Sequence, residues 1–200
     1  MNTVITEKTE NGDVSYDVFS KLIESRILFL YDYITDDIAT DIVATLLYLD
    51  HENDSDKISL YINSNGGDVD SVFMIYDIMN IIKSPIETFC IGNAFGESAL
   101  ILAAGTKGKR YITKSSMIRI SQITHAYSIH ADMSSAEILL EKNKKENIKF
   151  LKALHDCTGK SIKAITKDTQ RDFYMSPEAA KKYGIIDSVV GGTNETKTGE

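Results

Sequence analysis

The stretch "ISLYINSNGGDVDSVFMIYDIM", residues 58 to 79, changes its hydrophobic period at the middle, and that change decides the fold class. Its opening run, ISLYI (58 to 62), is short, apolar and rich in strand-favouring residues, which predicts a strand. NSNGGD supplies turn chemistry. Beyond it Val72, Ile75, Ile78, Met79 and Ile82 recur at helical spacing, so one side of a helix is apolar. Strand, glycine turn and helix in that order make a βα unit, and βα units predict an α/β fold around a largely parallel sheet.

The same alternation extends on both sides. RILFLY reads as a preceding strand, and Thr35 as the N-cap of a helix carrying Ile38, Ile42, Leu46 and Leu49 on one face. Pro85 closes the helix after NSNGGD. IETFCI (86 to 91) supplies a third strand ending at Gly92, a short helix is predicted over 97 to 104, and RYIT and MIRIS (117 to 121) are further strands. Ser134-Ser135-Ala136-Glu137 is a capping-box signature opening the longest helical segment, which runs to about Asp156. The middle of that segment, EKNKKEN (141 to 147), is polar on every side, the mark of a helix that stands in solvent or bridges between bodies. A helix near 161 to 168 follows. Ser176 is an N-cap with Pro177 at the first helical position, IIDSVV is a last strand, and the tail GGTNETKTGE (191 to 200) has the composition of a disordered end.

The chain has 200 residues, 42% of them apolar, which fits a single domain over residues 1 to 190. Its formal charge of −7 argues against binding nucleic acid or an anionic membrane, because both need a basic surface that displaces counterions. No apolar run approaches the roughly 20 residues that span a bilayer. Cys90 and Cys157 lie far apart without metal-binding spacing. They read as reduced thiols in a cytosolic-type compartment, and neither a metal nor a cofactor is expected. The N-terminus lacks the features of a secretory signal or an organelle presequence. The expected location is cytoplasmic, or an organelle stroma if a presequence has been removed.

A second stretch carries the chemistry. In "GNAFGESALILAAG" (92 to 105) a glycine turn leads from a strand into an apolar helix, and the only hydroxyl is Ser98. With NSNGG at the end of the neighbouring strand, two glycine turns would set backbone amides side by side at the carboxyl edge of the sheet, where ligands bind. Two readings are open: plain βα turns, which glycine suits anyway, or an oxyanion hole for acyl chemistry.

Several longer motifs stand in order along the chain: TVI (3 to 5), YDVFSKLIESRILFL (16 to 30), YINSNGGDV (61 to 69), IYDIM (75 to 79), LAAGTKGKRY (102 to 111) and DTQRDFYMSPEAAKKYGIID (168 to 187). On these the chain resembles the proteolytic subunit of the ATP-dependent Clp protease, from about Thr3 to Val190. The resemblance implies a crotonase-like α/β spiral of βα units with an N-terminal axial segment (1 to 20) and a long handle helix (132 to 157). It also implies assembly of ring-forming subunits into a barrel capped by an AAA+ unfoldase ATPase, and a Ser-His-Asp triad.

Laid on the family's motifs, the nucleophile position is Gly96 and the base position is Ser121, while the acid is present as Asp172. Gly67 and the amide of Glu97 fall at the oxyanion-hole positions. Glu97 stands where the family has methionine, and its carboxylate would oppose a developing negative charge unless the side chain points away. Gln170 replaces the acid that precedes Arg171 in the family's ring-to-ring contact, and Tyr61 matches one residue of the ATPase-docking cleft, where Ser59 and Ile81 replace two others.

Losing nucleophile and base together predicts a catalytically silent subunit of a mixed ring, similar to the family's non-catalytic paralogues. Two alternatives stand beside it. One is an active serine peptidase with Ser98 as relocated nucleophile and His125 as base, although two residues further into a helix turn a side chain by roughly 200°. The other is a self-assembled barrel that binds peptides without cutting them.

Overall fold

The strand residues divide cleanly by face. Leu28, Leu30, Ile58, Leu60, Ile62, Ile86 and Cys90 are buried beneath helices, while Phe29, Tyr61, Phe89 and Tyr111 alternate to the opposite face and stack in a row across four strands, with ring centroids 5.3, 4.8 and 4.8 Å apart. A parallel sheet covered by helices on one side and closed by aromatic rings on the other is the result.

The computed structural model describes residues 4–9, 12–123 and 133–191. An antiparallel hairpin of β1 (Val4–Thr9) and β2 (Gly12–Asp17) leads into α1 (Val18–Glu24). Asp17 caps that helix by accepting from Phe19 N and Ser20 N. The sheet is then built from β3 (Ile27–Tyr31), α2 (Asp36–Glu52), β4 (Ile58–Ser64), α3 (Val69–Ile81), β5 (Ile86–Phe95), α4 (Ser98–Ala103), β6 (Arg110–Thr113) and β7 (Met117–Ile120). After α5 (Met133–Thr158) and α6 (Ile162–Asp168) come β8 (Phe173–Met175), α7 (Pro177–Tyr183) and β9 (Ser188–Val190). The order β3-β4-β5-β6-β9 is parallel throughout, the α/β spiral expected from the sequence.

β5 is longer than IETFCI suggests. It does not stop at Gly92 but bulges there, at φ +137°, and continues to Phe95. Its first half pairs with β6 and its second half with β7, which in turn takes β8 antiparallel. Asn63 holds the bulge by accepting from Asn93 N at 3.0 Å. The sheet therefore forks, and the fork carries the strand ends that form the candidate site.

Helix positions follow the expected periods. Ile42, Leu46 and Leu49 are buried on α2 and Val72, Ile75 and Met79 on α3, each apolar side chain contributing about 1.5–3 kcal/mol by leaving water. Thr35 and Ser176 are N-caps as read. The strand RILFLY begins one residue late, at Ile27, because Arg26 adopts φ +59°. From there its guanidinium donates to the carbonyls of Leu49, Asn53, Asp56 and Lys57 and to Ser84 Oγ, tying the end of α2 and the loop that follows it to the start of β3. Arg110 acts likewise at three helix ends. Its Nη1 donates to the carbonyls of Ala103, Cys157 and Gly184, where α4, α5 and α7 finish, and its other edge grips Asp187 in a two-pronged pair.

The handle helix α5 starts at Met133, placing Ser134 in the first turn rather than at the cap, and ends at Thr158. Its polar middle is not exposed on every side. Glu146 is buried, and Lys142 and Lys149 reach across to Asp70 and Asp77 of α3, with Lys149 Nζ 3.7 Å from the centroid of the Phe73 ring. Polar residues here bridge to the body of the same chain, while Phe150, Leu151 and Leu154 enter the core.

Candidate active site

Two strand ends meet at the site. Where β4 ends, Gly66 takes φ +105°, and Gly67 packs so tightly that a methyl group on it would lie 2.3 Å from Ile34 Cβ and 2.5 Å from Ile34 O. Only glycine lets the backbone come this close. Ile34 N donates to Gly66 O and Asp68 N to Ile34 O, which fixes the turn against the segment between β3 and α2.

At the end of β5, Gly96 takes φ +58° and donates its N–H to Arg119 O at 2.8 Å. A single left-handed residue between a strand and a helix is the geometry of a nucleophile elbow, which raises one side chain above the sheet. A Cβ built on Gly96 meets only Asn65 O, at 3.8 Å. The turn thus has room for a side chain at the elbow, and the residue there has none.

Ser98 lies in the first turn of α4, and its hydroxyl points inward. It is 0% exposed, and Oγ approaches two backbone acceptors, Ser64 O at 3.0 Å and Phe95 O at 2.9 Å. This hydroxyl ties the ends of β4 and β5 to the helix. His125 and His130 lie outside the described residues, as does the tail after residue 191. His51 is exposed on α2, and His155 Nδ1 is 2.6 Å from Lys160 O.

Glu97 follows the elbow, and its carboxylate turns toward the glycine turn. Gly67 N–H donates to Glu97 Oε2 at 3.5 Å, and a methyl group on Gly66 would sit 2.6 Å from that oxygen. Burial, then the Asp68 and Glu97 carboxylates, raise the nearby Tyr33 phenol above its usual value. Gly66, Gly67, Gly96 and Glu97 are therefore brought together.

Ser121 follows β7 directly and is half-buried. Gln122 N donates to Thr169 O, so the end of β7 is fastened beside the segment carrying Gln170, Arg171 and Asp172, all three exposed. Asp172 is held by Arg119, whose Nη1 donates to Oδ2 at 3.2 Å. Arg119 also lies over the Phe95 ring at 5.2 Å and near the Tyr174 ring at 6.0 Å. Arg119 was not among the residues singled out from sequence. The signal was there: an arginine between Ile118 and Ile120 alternates to the face of β7 opposite the core, beside Phe95 of β5. Tyr61 stands in the aromatic row between Phe29 and Phe89.

Among the described residues no three His, Cys, Asp or Glu are grouped to hold a metal ion, and no helix is long and apolar enough to cross a membrane.

The forked, mainly parallel sheet, with a glycine turn and a left-handed residue at adjacent strand ends and a long helix packed behind it, is an α/β fold of the Clp-protease type. The chain belongs to the Clp protease family, whose model, described as Clp protease, matches residues 10–193.

Proposed function

We propose that this chain is a catalytically silent subunit of a Clp-type ATP-dependent protease, structural or regulatory within a mixed ring beside catalytic paralogues. The observation that carries the reading is the elbow. Its left-handed turn is intact, but the residue at its apex is Gly96, which has no nucleophile to offer. Ser121 at the base position cannot accept a proton near neutral pH, and removal of both groups leaves only what the oxyanion hole provides. The relocated reading gains no support from geometry, because the Ser98 hydroxyl is buried and directed at two carbonyls. Tyr61 keeps one position of the ATPase-docking cleft, but with Ser59 and Ile81 at two others we propose that an AAA+ unfoldase docks mainly on the catalytic paralogues of the ring. Two buried free cysteines support a reducing, cytosolic-type compartment.

A fluorophosphonate probe tests the proposal. The purified chain should stay unlabelled beside a labelled active serine peptidase, and stoichiometric labelling of Ser98 would overturn the reading. Native mass spectrometry of the chain alone and mixed with a catalytic paralogue tests the ring. Mixed oligomers should form, whereas a stable barrel of this chain alone that retains peptides would favour the binding alternative.

A further inference from the structure

Accepting that the site is vestigial, we infer that it is also closed from within: Glu97 fills the amide pole in place of a substrate oxygen, and Arg119 occupies the acid pole in place of a histidine. The two contacts are independent. Gly67 N–H points at Glu97 Oε2 at 3.5 Å, and a methyl group on Gly66 would lie 2.6 Å from the same oxygen. An anion that enters a catalytic amide nest must take that space, and here a carboxylate of the chain is already in it. At the other pole, Arg119 Nη1 donates to Asp172 Oδ2, the group that in a triad would orient an imidazole N–H. Arg119 is placed for this by β7, which pairs Arg119 with Phe95, and by the stacking of its guanidinium on Phe95 and Tyr174.

The silence of the site is therefore fourfold. Serine at position 96 and histidine at 121 would face a nest filled by a negative charge and an acid already engaged by a cation. Removing one donor from an oxyanion hole slows acyl transfer by about 10²–10³-fold, and occupying the nest with a carboxylate withdraws donors in the same way.

Two measurements test the closure. The sequence contains only two Gly-Gly junctions, 66-67 and 191-192. In full-length protein carrying ¹³C-carbonyl, ¹⁵N-glycine, carbon-nitrogen coupling therefore selects the amides of Gly67 and Gly192. Glu97→Ala and Glu97→Gln should each shift the Gly67 amide proton upfield and leave Gly192 unmoved. An unmoved Gly67 in both variants overturns the amide half of the inference, whatever the chain does in a ring.

The second measurement compares fluorophosphonate labelling of Gly96→Ser/Ser121→His with the same pair plus Glu97→Ala and Arg119→Met. The four-substitution protein should label at the introduced serine at least about 10²-fold faster. Equal rates, or no labelling of either folded protein, would overturn the closure. If the four-substitution protein does not fold, the Gly67 shift decides. Labelling of the unsubstituted chain would instead overturn the silent-subunit reading, so the two failures are distinct.

Discussion

Arg119 Nη1 donates to Asp172 Oδ2 at 3.2 Å, so the aspartate proposed as the triad acid is gripped by a cation from the neighbouring strand. The same residue accepts the Gly96 N–H on its backbone oxygen. One residue thus fixes the elbow with its main chain and the acid with its side chain. That is a structural use for Asp172 whether or not it takes part in any chemistry.

The pair is partly solvated, with Asp172 50% and Arg119 26% exposed in their side chains. Asp172→Asn should therefore reduce stability by no more than about 1 kcal/mol. Chemical denaturation checks this, and a loss several times larger would mean that the aspartate has a deeper structural role.

The opposite holds for Arg110 and Asp187, whose side chains are 4% and 22% exposed. Asp187→Asn leaves the guanidinium buried without its counter-charge and should cost about 3–5 kcal/mol. The hydrogen bond from Arg110 holds the Asp187 carboxyl below its ordinary value. A carboxyl depressed in the folded state stabilises above its unfolded value, near pH 4, and that contribution disappears as the pH falls through the folded one. Thermal unfolding followed from pH 6 down to pH 2 should show a steeper acid loss for the unsubstituted chain than for Asp187→Asn.

Ser98→Ala removes a buried hydroxyl from Ser64 O and Phe95 O. The expected loss is about 1 kcal/mol, or roughly 2–4 °C in Tm for a chain of this size, with no change in reactivity toward serine-directed probes. A calorimetric scan and a labelling gel read the two halves of this prediction separately.

Gly67→Ala and Gly96→Ala should differ sharply. At Gly67 the new methyl group meets the backbone of Ile34, which cannot move without breaking its bonds to Gly66 and Asp68, so a loss of about 3 kcal/mol or more is expected. At Gly96 there is room, and only the left-handed conformation opposes the methyl group, at about 1–2 kcal/mol. Urea midpoints of the two variants test the order.

Much of this fold is legible in the periods of the sequence, because apolar spacing reports which face is buried. Thr35 and Ser176 mark their helices, and Val72, Ile75 and Met79 their core stripe. The course of β5 past Gly92 is not legible locally: a glycine at a strand end looks like a stop, and only the Asn63 side chain and the pairing with β7 make it a bulge. Glu146 was hidden for a similar reason. A polar residue's burial depends on what lies across from it, and spacing within one helix does not say which element that is. At the candidate site, the roles proposed for Gly96, Ser121 and Asp172 rest on motif position alone. The direction of the Glu97 carboxylate and the grip of Arg119 on Asp172 are side-chain orientations, which spacing does not encode.

On the proposed silent-subunit reading, the left-handed turn at Gly96 makes the loss of a nucleophile hard to reverse. Glycine sits in that well without strain, whereas any L-residue put back there starts with a conformational penalty of about 1–2 kcal/mol. A lone reversion to serine would meet that penalty without a base at position 121 to give it a use. The apex works as a ratchet: the step to glycine relaxes the chain, and no single step back yields an enzyme.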